Sequence, residues 1–205
     1  MLAQKKSKLN SYIKIFRFLP FVETVFLAGS LALGRAKSDS DFDVIVGTKP
    51  GRIFTARFFC LLVFGLMGLR RRGGKKKDKV CFNHFVTGKN YFIEPYNDYL
   101  TRLYRRLLPL YGDEEPVKQF AIQNRLDYEI SDKALWSEAR DSGFKIWLQK
   151  ILRSVLGDFI ERILRKIQVW HIRKVIRDSR ILEGGVKYNE DEIGNFGFYL
   201  DRERN

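Results

Sequence analysis

Two carboxylates, Asp41 and Asp43, stand two residues apart where the chain enters the apolar run 42–46 (Phe-Asp-Val-Ile-Val). Such a run reads as a strand, and because strand side chains alternate, both carboxylates project from one face. Side by side they repel unless a cation lies between them. Mg²⁺ suits the pair, since it takes hard oxygen ligands and fills the rest of its shell with water and substrate phosphates. The phosphate end is supplied upstream, where the short apolar strand 24–27 stops at Gly29 and Ser30. Glycine lets the backbone approach an anion. Ser30 adds a hydroxyl and an N–H, and residues 31–33 (Leu-Ala-Leu) suit the first turn of a helix with its amides toward phosphate. A phosphate-sized turn joined to paired carboxylates points to metal-nucleotide chemistry.

Gly29, Ser30, Gly34, Ser40, Asp41 and Asp43 together resemble the signature of the polymerase-β-like nucleotidyltransferase superfamily: Gly-Ser, a short helix, then Asp-x-Asp on the next strand. The resemblance covers residues 29–43 directly and the first half of the chain by topology. It implies an α+β fold, a nucleotidyltransferase-type mixed sheet with flanking helices, followed here by an α-helical domain. It also implies transfer of NMP from an NTP to an acceptor, with pyrophosphate leaving. In that reading Gly29 and Ser30 hold the β- and γ-phosphates, with Gly34 and Ser40 in the same nucleotide-binding turn. Asp41 and Asp43 hold Mg²⁺, or Mn²⁺ in its place, and Lys37 and Arg35 neutralise charge. Asp39 precedes the strand and reads as an exposed turn residue.

Active members of that superfamily usually carry a third carboxylate on a neighbouring strand. The corresponding stretch, 79–86 (Lys-Val-Cys-Phe-Asn-His-Phe-Val), contains no acid. Alternation puts Cys81, Asn83 and Phe85 on one face and Val80, Phe82, His84 and Val86 on the other, so Cys81 or Asn83 stands in the third position. Asn83 joins Asp41 and Asp43 in the expected catalytic group, although an amide accepts from a metal and cannot take a proton. Three readings follow: His84 or Glu94 supplies a base, the enzyme works with two carboxylates, or the domain is a catalytically impaired nucleotide- or RNA-binding module. A lone strand histidine such as His84 is more often packed than catalytic, and His171, in a basic helical run, is weaker still.

With 205 residues, 45% of them apolar, the chain can bury one good core or two small ones. Cys60 and Cys81 make neither a disulfide framework nor a metal-binding spacing, and no cleavable signal is read, so a reducing cytoplasmic setting is expected. The net charge of +14 is uneven: residues 1–97 carry 18 Lys or Arg against 6 Asp or Glu, and residues 98–205 carry 20 against 18. A triphosphate needs only a few cations, so the excess suggests a longer polyanion such as RNA, or an anionic membrane surface, weighed evenly against a merely solvated basic face. The loop from Arg70 to Lys77 (Arg-Arg-Arg-Gly-Gly-Lys-Lys-Lys) is the candidate arm. It has no interleaved aromatics and would position a backbone rather than read bases.

The apolar stretch 53–69 is near the minimum length of a membrane span but contains Arg57. The resemblance implies a buried helix that crosses between the Asp-x-Asp strand and the next strand, which is favoured here, with an interfacial helix beside a polybasic loop as the alternative. Farther on, residues 97–111 read as a helix with Pro109 near its end, and residues 131–139 as a short capped helix. Residues 144–178 form the clearest amphipathic pattern, started by Asp141-Ser142-Gly143 and divisible at Gly157. Trp147 and Trp170 are expected as core or inter-domain contacts. The resulting domain division is 1–97 nucleotidyltransferase-like, 98–183 α-helical, and 184–205 a tail or small hairpin that docks on the basic half.

Overall fold

Runs rich in Val, Ile and Phe become the strands of one mixed sheet, seen in a computed structural model that describes residues 2–71, 76–88, 91, 106–124, 140–178 and 196–197. β1 (Val22–Ala28) pairs antiparallel with β2 (Phe42–Thr48), setting Ala28 opposite Asp43. β2 pairs parallel with β3 (Val80–Thr87), setting Asp43 opposite Cys81. Parallel neighbours need a crossover, and α3 (Ile53–Leu66) provides it, as expected for the apolar stretch. No helix among the described residues is long and apolar enough to cross a membrane. Two further strands complete the order β4-β1-β2-β3-β5: β4 (Leu108–Gly112) beside β1, and the two-residue β5 (Phe196–Gly197) beside β3.

The strand at Leu108–Gly112 corrects the helix expected over 97–111. Pro109 lacks an N–H and is tolerated on a sheet edge, which is where β4 lies. The sheet therefore draws a strand from beyond residue 97. Residues 97–105, 131–139 and all but two residues of 184–205 lie outside the described residues, as do the rest of those expectations.

One face of the sheet carries the larger core. There Leu9 and Ile13 of α1 (Leu2–Ile13), Phe16 of a 3₁₀ turn, and Cys60 and Phe64 of α3 pack on Val25, Leu27, Phe42, Val44, Val46 and Phe85. Opposite it, Phe26, Ile45 and Val86 pack with Tyr91 and with Val117 and Phe120 of α4 (Glu114–Gln123); the Phe26 and Phe120 rings stack 4.2 Å apart. Asp43 shares this second face with Ile45, beyond the end of its apolar cluster.

The amphipathic run after residue 142 divides into α5 (Gly143–Leu152) and α6 (Val155–Asp178). The Ser142 hydroxyl accepts from the Lys145 N–H, a standard N-cap. The break falls at Arg153 and Ser154, just before Gly157. A Cβ on Gly157 would lie 1.8 Å from the Leu152 carbonyl oxygen, so the glycine is what lets the helices fold back so closely.

Trp147 and Trp170 are 57% and 64% exposed, which corrects their expected role as packing contacts. α5 instead buries Lys145, Gln149 and Leu152. Lys145, 1% exposed, donates through Nζ to the Val22 carbonyl (2.8 Å), Tyr111 Oη (3.1 Å) and Asp141 Oδ1 (2.6 Å), and Gln149 Oε1 accepts from the Phe21 N–H at 3.1 Å. Fully partnered polar groups can be buried, so the inward face of α5 sets Lys145 and Gln149 beside Leu148 and Leu152, which pack on the larger core. α6 is fastened to α3 through Glu161, whose carboxylate accepts from the N–H groups of Phe54 (2.9 Å) and Thr55 (2.8 Å) and from the Thr55 hydroxyl. That carboxylate satisfies donors orphaned at a helix N-terminus and meets the positive end of its dipole.

Candidate functional site

The site forms where three neighbouring strands present their ends. β1 stops at Ala28, and Gly29 turns the chain with φ +69°, a left-handed conformation that favours glycine. A Cβ at Gly29 would lie 2.2 Å from Asp43 Oδ2, so the turn sits directly over that carboxylate. Half-buried Ser30 follows in the single helical turn α2 (Gly29–Ala32). Gly34, at φ +71°, ends the turn, and the Arg35 N–H donates back to the Ser30 carbonyl at 2.8 Å.

The loop leading to Asp41 is tied down from two sides. Ser40 Oγ accepts from the Lys37 N–H at 2.8 Å, leaving the Lys37 side chain exposed. The Ser40 carbonyl accepts from Lys5 Nζ at 2.7 Å and from the Asp78 N–H at 3.2 Å. Lys5 also meets Asp78 Oδ1 at 2.7 Å, and Lys8 meets Oδ2 at 2.6 Å. Partial burial opposes ionisation of Asp78, but the two ammonium groups win and hold its carboxyl below the usual range. Asp39 is exposed, as expected, with Lys76 3.8 Å away.

Strict alternation fails in β3. Val44 pairs with Phe82 and Ile45 with His84, so Asn83 is an extra residue, a β-bulge. After the bulge the faces exchange. Phe85 joins Val80 in the larger core, and His84 shares the face of Ile45, correcting the expected grouping of Phe85 with Cys81 and of His84 with Phe82. His84 is buried, and desolvation drives its pKa down to about 3, so its imidazole is uncharged. Glu94 lies outside the described residues.

The bulge brings Asn83 to the carboxylates. Asn83 Nδ2 donates to Asp43 Oδ1 at 3.2 Å, and its Oδ1 accepts from the Cys81 thiol at 3.1 Å. A carboxylate oxygen from Asp41, one from Asp43 and Cys81 Sγ lie within 4.8 Å of one another. Burial first, then the negative charge of Asp41, pushes the Asp43 carboxyl up to about 6 against the opposing pull of Asn83 and Arg71. Burial and the same two carboxylates push the Cys81 thiol up to about 12. Crowded negative charge with converging donors fits a divalent cation.

Arg71 is the site residue that sequence reasoning missed. Its Nη1 donates to Asp41 Oδ2 at 2.6 Å and lies 3.9 Å from Cys81 Sγ. Within a polybasic loop nothing distinguishes Arg71 from Arg70 or Arg72. The backbone does, because the Arg71 N–H donates to the Val80 carbonyl at 2.9 Å and so anchors this arginine beside β3.

A search of curated proteins found no match to the chain. The family model for the nucleotidyltransferase domain matches residues 9–128, more than half the chain. That span takes in β1 to β4, the Gly29 turn, both aspartates, Arg71, Cys81 and Asn83, and the chain therefore belongs to the nucleotidyltransferase domain family.

Proposed function

We propose that this protein is a metal-dependent nucleotidyltransferase that moves NMP from an NTP to an acceptor and releases pyrophosphate. The observation that carries the reading is the Gly29 turn seated over Asp43, beside Asp41, in a chain of this family. Gly29 and Ser30 bind the β- and γ-phosphates through backbone N–H groups and the Ser30 hydroxyl. Gly34 and Ser40 shape that turn, and Lys37 and Arg35 neutralise charge from its exposed side. Asp41 and Asp43 hold the cation, for which Mg²⁺ and Mn²⁺ suit the two carboxylates taken alone. A divalent cation, when bound, stabilises charge developing on the transferred phosphoryl group and orients it. Asn83 holds the Asp43 carboxylate in place through its amide N–H and takes no proton itself.

A second reading, a nucleotide- or RNA-binding module, is favoured by one observation: β3 brings a thiol and an amide, not a third carboxylate, to Asp43. The two readings separate when the full chain is incubated with divalent cation and α-labelled NTPs, with RNA, protein and small-molecule fractions as acceptors. Label transferred by the wild type and absent with Asp41→Asn supports the transferase. Metal-dependent NTP binding with no transfer to any fraction supports the binding module.

A further inference from the structure

We propose that Cys81 is the third protein ligand of the cation held by Asp41 and Asp43, and that its sulfur makes the site select thiophilic divalent ions such as Zn²⁺, Co²⁺ and Cd²⁺ over Mg²⁺. The proposal rests on the reading of the two aspartates as cation ligands and names the class of ion they share with the thiol.

Three features of the structure carry it. Cys81 is the parallel-ladder partner of Asp43, so the backbone register itself fixes the sulfur beside the carboxylate. The sulfur and the two carboxylate oxygens lie within 4.8 Å of one another. Ligands on one zinc ion, with bonds of about 2.3 Å to sulfur and about 2.1 Å to oxygen, sit roughly 3.6 Å apart, so small side-chain rotations close the set. Asn83 orients both neighbours, donating to Asp43 and accepting from the Cys81 thiol.

Charge completes the argument. Arg71 places its guanidinium against Asp41 and close to Cys81. On coordination the Cys81 thiol releases its proton to solvent, and the sulfur lone pair forms the bond to the ion. Two carboxylates and one thiolate then carry three negative charges, which a divalent ion and Arg71 balance. Thiolate favours zinc-class ions, whereas Mg²⁺ demands oxygen.

The test titrates the purified full chain with Co²⁺ alone. A thiolate-to-cobalt charge-transfer band in the near ultraviolet is expected from the wild type and from Cys60→Ala, because Cys60 lies buried in the core, and is expected to vanish in Cys81→Ser. Calorimetry should show Cys81→Ser losing Zn²⁺ affinity by at least about tenfold, the scale seen when even outer-shell support is removed, with Mg²⁺ affinity unchanged. Cys81→Asp should lose the band and gain Mg²⁺ affinity. Circular dichroism of each variant confirms the fold. Cobalt binding to the wild type without the band, unchanged Zn²⁺ affinity in Cys81→Ser, or a band undiminished in Asp41→Asn would overturn the proposal. NTP transfer supported by Mg²⁺ in a protein lacking the band would leave the transferase standing and sink this inference. An intact band in a protein that transfers nothing would do the reverse.

Discussion

Gly29 and Asp43 act as a matched pair, since the space a Cβ would fill at Gly29 holds the Asp43 carboxylate. Gly29→Ala meets both that clash and a φ of +69°. Displacing a reacting group by about 1 Å costs about 100-fold in rate, and a non-glycine residue forced into the left-handed region costs about 1–3 kcal/mol. Single-turnover kinetics and a thermal melt should show both losses in this variant. Asp43 carries its own pH signature. Folding raises its pKa from 3.8 to about 6, so the folded state binds the proton more tightly than the unfolded chain. The resulting destabilisation is absent below pH 3.8, develops as pH rises through about 6, and is complete above it. At roughly 1.4 kcal/mol per unit it reaches about 3 kcal/mol. Asp43→Asn without added metal should therefore match the wild type in urea midpoint near pH 3.5 and exceed it at pH 7. Equal pH dependence of the two proteins would refute that origin.

At the scale of elements, helix α3 is defined as much by its neighbour as by its own sequence. It begins after Arg52 with no side-chain cap of its own, and Glu161 of α6 takes that duty. Glu161→Gln keeps the shape but loses charge-assisted acceptance, and should lower stability by about 1–2 kcal/mol in urea unfolding; an unchanged midpoint would show that the cap contributes nothing net. Periodicity located the α5–α6 run because its apolar spacing is local information, and the unbroken apolar stretch 53–69 marked α3. It misassigned Leu108–Gly112 because a short apolar stretch containing Pro109 is compatible with a helix end or an edge strand, and only pairing with β1 decides. The bulge at Asn83 was equally hidden, since an extra residue in a ladder exists only relative to the opposite strand.

Across the whole molecule the basic excess gathers in the half that also holds the Gly29 turn and the aspartates. Part of that charge is already committed internally: Lys5 and Lys8 bind Asp78, and Arg71 binds Asp41. Lys76 and Lys77 remain exposed on the loop after Arg71. If that loop engages a phosphate backbone, affinity for single-stranded RNA should fall linearly on a log-log salt plot, and Lys76→Ala with Lys77→Ala should reduce the slope by about 1.4. A slope unchanged by the pair would remove the loop from the interface.

The sequence alone determined what was local: the Gly-Ser turn, the Asp-x-Asp pair and the apolar stretch that becomes α3 are all set by neighbours within a few residues. Tertiary structure decided what depends on residues far apart in the chain. The seating of Gly29 over Asp43, the register of Cys81 against Asp43, Arg71 on Asp41 and the burial of Lys145 and Gln149 in α5 all arise from pairing across strands and helices. Periodicity reports which face of a segment is apolar, but buried polar groups such as Lys145 and Gln149 are tolerated where distant backbone supplies their partners. Such partners become visible only once the chain has folded.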